Sequence, residues 1–357
     1  MSFTDWTEGN LVKVPVFDLT VGGVQLLSVN DRLMSLTLTD NRGFEADTLE
    51  LTIDDTDGKI ALPARGAEIS VSLGWQGEAL VHKGMYTVDE ISHSGPPDQI
   101  TVTARSADFR QDFNVKREYS WHDIKVPDVV SAIAGRYNLK PAVSKQLMHI
   151  EIDHADQTNE SDISFLTRMA EMLGAIATIK NGSLLFIVPN QGVTQSGKPL
   201  PVITIMRESG DRHYFRLADR QAYTCVQAYW LDLNYAQQKK TNLKRKQKPK
   251  KEGDYIEGAE GNVFVMRQTF KNEQSAKRAA AAKWSKLQRG VAEFNITLAE
   301  GRADLYPEMP VTVIGFKPTI DSHHWVISRV VHQIDGHGFI TSLELEIRIK
   351  DVGIDDG

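Results

Sequence analysis

The chain has 357 residues, 41% of them hydrophobic and 25% charged, a composition ordinary for a globular protein of two to four domains. No apolar run approaches the roughly 18 residues a membrane-spanning helix needs, and Met1–Trp6 is polar and acidic, so neither a transmembrane helix nor a secretory signal is expected. The net charge of −6 hides a division: Lys239–Lys251 holds eight Lys or Arg and no acid, leaving 33 basic against 47 acidic residues elsewhere, a net of −14.

In chain order, Val14–Gln25 reads as a hairpin turning at Gly22-Gly23. Leu36 and Leu38 alternate with threonines, and Leu49, Leu51 and Ile53 alternate again. Ile69–Trp75, Leu80–Ile91 and Ile100–Ala104 complete a β-rich first module ending near Asp108. Pro127 then opens a helix with a Val129, Val130, Ile133, Ala134, Tyr137 stripe. Asn159 or Ser161 caps a second helix, which buries Ile163, Leu166, Met169, Ala170 and Leu173 and stops at Gly174. Ala175–Ile179 and Leu184–Val188 flank Asn181-Gly182, a strong hairpin signal. Gln191–Pro201 is a Gly/Pro/Ser-rich connector, after which β structure resumes from Phe215, notably over Ala222–Leu233.

The last third holds an Ala-rich helix. Asn272 caps it, Glu273 and the pair Lys286 and Arg289 complement its dipole, and Gly290 ends it. Ala276, Ala280, Trp284 and Leu287 share one face, small enough to lie close on a sheet. Phe294–Leu298, Val311–Ile314 and Trp325–Ile327 follow as strands. This tail echoes the first module. A shift of 239 positions brings Tyr86 onto Trp325, Val88 onto Ile327, Ile91 onto Val330, His93 onto His332 and Ile100 onto Phe339. A proline also precedes each preceding strand, Pro63 before Ile69 and Pro307 before Val311. The chain thus reads as a mixed, β-rich α+β protein: two similar β-barrel-like modules with an inserted α/β domain. The expected boundaries are 1–114, 115–200 and 201–357, the last including a basic loop at 239–251 and the helix at 272–290. Three such chains offer six similar positions in a ring.

The chemical motifs are weak. Gly192–Lys198 matches GxxxxGK, but Pro199 replaces the metal-holding Ser or Thr and no helix opens there, so it reads as a surface connector. Asp54–Gly58 lacks the spacing of a calcium loop and reads as a turn. His323-His324, His332 and His337 have no zinc-like partners, and Asp153–Asp156 lies in an expected loop. No G-x-S-x-G elbow is present. Cys225, the single cysteine, cannot form an intrachain disulfide and reads as core, which suits assembly in a reducing cytoplasm. The basic run Lys239, Lys240, Lys244, Arg245, Lys246, Lys248, Lys250 and Lys251 has no interleaved aromatics; it reads as a flexible solvated loop, or as a contact for an acidic neighbour or passing nucleic acid.

The run Gly301-Arg302-Ala303-Asp304-Leu305-Tyr306-Pro307-Glu308-Met309-Pro310-Val311, followed by Gly315-Phe316-Lys317-Pro318, resembles the hallmark of the phage late-control D protein family. The helix ending Leu287-Gln288-Arg289-Gly290 and the opening pair Leu36–Asp40 and Asp47–Asp55 fit the same resemblance, which spans nearly the whole chain. The resemblance implies a baseplate hub of a contractile tail, similar to the N-terminal hub part of VgrG proteins. It implies a homotrimer that adapts a sixfold tail tube to a threefold central spike, with tape-measure and other baseplate proteins as further neighbours. Genomic DNA would pass without specific binding; an acidic channel wall would repel it. The expected location is the virion tail baseplate, after assembly in the host cytoplasm. Catalytic residues, cofactors, metals and membrane contact are not implied. Tyr306, Pro307, Glu308, Met309 and Pro310 are candidates for a subunit or tube interface, or for a rigid loop that sets strand register. A tailocin hub and a nucleic-acid-binding regulator using the basic run are the alternatives.

Overall fold

The computed structural model describes residues 13–22, 24–25, 29, 31–106, 111–180, 182–194, 198–217, 223–232, 237–244, 262–290 and 292–348. The first module contains β1 (Pro15–Val21), β2 (Val24–Gln25), β3 (Leu33–Asn41), β4 (Thr48–Asp54), β5 (Glu68–Trp75), β6 (Val81–Ser94) and β7 (Gln99–Ser106). The α/β insert runs β8 (Lys116–Lys125), α1 (Val126–Arg136), β9 (Lys140–Val143), β10 (Glu151–Ser161), α2 (Asp162–Leu173), β11 (Ile176–Lys180) and β12 (Ser183–Ile187). β13 (Ile203–Met206) and β14 (Gly210–Leu217) open the second module. A smaller body then intervenes: β15 (Cys225–Asp232), β16 (Gln237–Lys244), β17 (Val263–Phe270) and α3 (Glu273–Arg289). β18 (Ala292–Leu298), β19 (Pro310–Ile314), α4 (Pro318–Asp321), β20 (Trp325–Asp335) and β21 (Gly338–Ile347) complete the second module.

The two modules repeat one strand order. β3-β4-β7-β6-β5 in the first corresponds to β14-β18-β21-β20-β19 in the second, each extended by a further strand, β1 antiparallel to β5 but β13 parallel to β19. Their irregularities match too. The β6–β7 ladder steps from Val88↔Ala104 to Glu90↔Thr103, and β20–β21 steps from Ile327↔Leu345 to Arg329↔Glu344. The β3–β4 ladder bulges between Leu33 and Ser35, and β14–β18 bulges between Gly210 and Arg212. A bulge bends and twists its strand at a fixed point, so two coincident bulges give both modules the same curvature. The Tyr86, Val88, Ile91 and His93 matches to Trp325, Ile327, Val330 and His332 therefore stand. Ile100 and Phe339 do not correspond. The first hairpin turns through four residues between Ser94 and Gln99, the second through two between Asp335 and Gly338, which moves the counterpart of Ile100 to Thr341.

β3 pairs antiparallel with β20, so the modules share one thirteen-stranded sheet among the described residues. Each module has its own core. Leu36, Leu38, Leu49, Ile69, Val71, Tyr86 and Val102 fill the first; Phe294, Ile296, Val311, Trp325, Val330 and Leu343 fill the second. The other face of β14-β18-β21-β20-β3-β4-β7-β6 follows from alternation. It is rich in Thr, Ser and Asn, and on it Glu50, Asp54, Glu90, Glu293, Asp335, Glu344 and Glu346 outnumber Arg105, Arg212, Arg216 and Arg329.

In the insert, Ser161 caps α2 by accepting from Ser164 N at 3.2 Å, and Gly174 ends it at φ 65°. Asp153–Asp156, expected as a loop, lies in β10, because β8 and β10 form a long two-stranded ribbon. Ala222–Leu233 was expected to belong to the second module. Its β15 instead forms a separate sheet, β16-β15-β17, covered by α3 through Ala276, Ala279, Ala280 and Trp284. The first part of the basic run is likewise a strand: Lys239, Lys240 and Lys244 lie in β16, held by the β15 ladder. Arg245, Lys246, Lys248, Lys250 and Lys251 lie outside the described residues. The two inserts lean on each other, Lys286 pairing with Glu171 at 2.8 Å.

Gly301 lies under the Phe339 ring. A Cβ there would sit 2.3 Å from the ring carbons, so the backbone approach requires glycine. Gly301→Ala is expected to cost about 1–3 kcal/mol by overpacking. Chemical denaturation checks this, with partial recovery expected in Gly301→Ala/Phe339→Leu.

Candidate functional site at the seam between modules

The hallmark run Gly301–Pro310 joins the modules. Trp75 Nε1 of the first module donates to Gly301 O at 2.9 Å, and its ring packs 5.3 Å from Phe339. Lys83 Nζ, lowered in pKa by burial, donates to Ala303 O at 3.2 Å and Leu305 O at 3.1 Å. Arg302 N donates to Thr341 Oγ1 at 2.9 Å. That leaves the threonine hydrogen for His332 Nδ1, 3.0 Å away. Burial, reinforced by Lys83, holds the imidazole well below its usual pKa, in the neutral form this hydrogen bond needs.

Glu308 sits at φ 74°, an unusual backbone for a side-chain-bearing residue. Ordered contacts fix it: its N donates to Ile327 O at 2.9 Å, and Ile327 N donates to Met309 O at 3.1 Å. Its carboxylate accepts from Asn190 N at 2.8 Å and pairs with Arg42 at 2.6 Å. Arg42 also reaches Glu346 at 2.8 Å, and Arg289 lies 3.7 Å from the same glutamate. Burial opposes the Arg42 charge, but Glu308 and Glu346 outweigh it and raise its pKa; at Arg289 burial wins and lowers it. Four segments remote in sequence thus meet at one charged cluster. Sequence patterns did not single out Arg42, Lys83 or Glu346.

A second cluster ties the insert to the first module. Lys180 of β11 bridges Asp40 and Asp47, at 2.7 Å from Asp40. Burial, then the Asp40 charge, pushes Asp47 up to about 6. These residues, Lys83, and Tyr306, Pro307 and Glu308 line a cavity of about 620 Å³ between insert and modules. Of the interface candidates, Tyr306 is exposed and Pro307 half-buried; Glu308 is engaged with Arg42, while Met309 and Pro310 are buried within the chain.

The remaining motifs are satisfied internally. Asp57 makes a two-pronged pair with Arg32 at 2.6 and 2.7 Å, and Asp54 accepts from Thr56 N within the turn. His154 lies 3.1 Å from His122 and 2.9 Å from Asp156 on the exposed ribbon. Around Gly192–Lys198, Val193 bridges Pro199 and Gly192 lies beneath the Arg348 guanidinium; residues 195–197 lie outside the described set. Among the described residues no group of three His, Cys, Asp or Glu side chains is placed to hold a metal.

The sequence profile of the phage tail baseplate hub (GPD) family matches residues 30–338. The probable baseplate hub protein of Escherichia phage 186 is 49% identical over 366 residues, covering 95% of this chain and 94% of its own. The chain belongs to the phage tail baseplate hub family. The family is structural, and its members are part of the tail baseplate of the virion. Among solved structures, the 43 kDa tail protein of prophage MuSo2 from Shewanella oneidensis superposes with a TM-score of 0.69 at 13% identity, over 93% of this chain and 98% of that one. The half-lidded Francisella PdpA-VgrG complex contains a chain with the same fold, at a TM-score of 0.55 and 9% identity, over 97% of this chain and 59% of that chain.

In this hub protein, Arg42→Met strands Glu308 and Glu346 without their shared cation. The expected loss is about 3 kcal/mol, and it shows as a lowered thermal transition in calorimetry. Asp47 carries a folded-state pKa of about 6 against 3.8 for an unperturbed aspartate. The folded state therefore takes up a proton that the unfolded chain does not. This stabilisation is complete below pH 3.8 and lost as pH rises through 6. Relative to Asp47→Asn, the native chain should gain denaturant resistance between pH 7 and 5.

Proposed function

We propose that three copies of this hub protein form a closed ring that adapts a sixfold tail tube to a threefold spike. The observation that carries this reading is the repeat of strand order and bulge positions in the two modules. Two like modules per chain give a threefold assembly six like positions. The run from β14 to β6 contributes eight strands per chain. Twenty-four strands at about 4.8 Å spacing give a circumference of about 115 Å, so a backbone ring about 37 Å across before tilt widens it.

The polar face of this run would line the channel. Its charge is mixed with an acidic excess: Arg329 pairs with Glu344 at 3.1 Å, while Glu293 and Glu346 lie opposite each other. On this reading the wall is hydroxyl-rich and acidic on balance. Such a wall lets DNA pass by offering no continuous basic track for phosphates. The partners on this reading are the tube protein, the spike protein and neighbouring baseplate or tape-measure proteins, met in the host cytoplasm. The protein acts by shape and pairing, with no catalytic step.

Co-expression with the cognate spike protein, followed by light scattering, tests the reading. A complex of three chains with three spike subunits is expected. A well-folded chain that never associates would overturn it and direct attention to DNA binding by the Lys239–Lys251 run.

A further inference from the structure

β8 and β10 stand apart from the other sheets as a two-stranded ribbon. Two strands alone gain little stability from their ladder, so the side-chain pairs across them carry weight. His122 and His154 are direct partners in that ladder. Pairing of the strands brings together two histidines 32 positions apart in sequence, with Nδ1 facing Nδ1 at 3.1 Å. The ring centroids lie 4.6 Å apart, the planes are inclined by 31°, and both side chains are exposed.

The next pair along the same face of the ladder is Asp156 and Ser120. Ser120 Oγ donates to one oxygen of Asp156 at 2.7 Å, and the other oxygen lies 2.9 Å from His154 Nε2. A carboxylate at that place accepts, so His154 carries its hydrogen on Nε2 and keeps a lone pair on Nδ1, aimed at His122. A carboxylate behind one imidazole nitrogen, with the other nitrogen free to ligate, is the support that metal-binding histidines use. Arg168, which donates to Asp156 O at 2.8 Å, has its charge matched by Glu160 at 2.7 Å.

We propose that His122 and His154 bind a divalent transition cation of the copper, nickel and zinc class through their two Nδ1 atoms, with Asp156 and Ser120 positioning His154 for it. An ion about 2.0–2.1 Å from each of two nitrogens 3.1 Å apart sees them at an angle of about 100°, between the square-planar and tetrahedral values these ions adopt. Rotation of each exposed ring about χ2 turns its lone pair from the neighbouring nitrogen onto the ion. His122 then carries its hydrogen on Nε2, so both rings bind as neutral imidazoles and no proton is lost. No third His, Cys, Asp or Glu side chain among the described residues joins the group, so water completes the coordination. The ion ties β8 to β10 where the ladder has no third strand. The site lies within one chain and does not depend on the ring.

Isothermal titration of the full, metal-stripped chain with copper(II) chloride and with zinc chloride tests this, beside His122→Asn, His154→Asn and the double variant. The native chain is expected to bind one equivalent that the double variant lacks. Each single variant should weaken that equivalent about a hundredfold, nearly as much as the double variant, because two prepositioned ligands act as one chelate. Asp156→Asn should weaken it about tenfold and keep the stoichiometry. All four positions are exposed or lie on the ribbon surface, and unchanged circular dichroism verifies folding. X-ray absorption at the copper edge needs no variant and is expected to count two imidazoles on the ion in the native chain. Equal binding by the native chain and the double variant, losses in the single variants that merely add, or a copper ion carrying one imidazole overturns the site and leaves a hydrogen-bonded histidine pair.

Discussion

The β3–β20 ladder is the constraint on which the rest of the structure depends. It converts two modules into one sheet, running from Arg329↔Asn41 to Asp335↔Ser35. A slip of one residue would turn Leu36 and Leu38 out of the core and the polar face inward. Core burial on one side and bulges on both neighbouring ladders hold it in register. His332 shows what the position demands. It lies opposite Leu38 with no access to water, so it is kept neutral and bound to Thr341. A charged imidazole there would require solvation the site does not supply.

The Gly301–Pro310 run is the covering of that ladder. Its residue types follow from contacts on three sides. Glycine admits the Phe339 ring, and Arg302 uses its backbone on Thr341 and its side chain on Asp304 at 2.7 and 2.8 Å. Leu305 and Met309 enter the second core. Glu308 accepts a strained backbone because its carboxylate neutralises Arg42 from the other module. Within the chain Glu308 pairs with Arg42, and Met309 and Pro310 are buried. Tyr306 is exposed and Pro307 half-buried.

What was legible in the sequence was local. α2 and α3 were readable because Ser161, Gly174 and Asn272 are chemical stop and start signals that act within one turn. The duplication was readable because core alternation on β6 and β20 is set by burial on one face, and burial selects similar residues in both copies. The body β15-β16-β17 was not. Its Lys-rich β16 has no apolar alternation and is a strand only because β15 supplies its hydrogen bonds. The charged clusters were equally hidden. Arg42 is remote in sequence from both Glu308 and Glu346, and only the topology brings it within 3 Å of each.

The copies have diverged where the proposed ring needs them to differ. In the first module the β3–β4 connection is short, residues 42–47, and carries Arg42 and Asp47, the charges that fasten the second module and the insert. The matching β14–β18 connection in the second module has grown into the β15–α3 body. The other large body, β8 to β12, lies between the modules. The bulges of β3–β4 and β6–β7 recur in β14–β18 and β20–β21, which keeps the curvature of these strands alike, while the outer ladders differ. Loops are free of that restraint. In the proposed ring the like strands recur six times and the inserts three times. On that proposal, duplication followed by unequal loop growth supplies both symmetries, because the inserts differ between the modules while the bulged central strands do not.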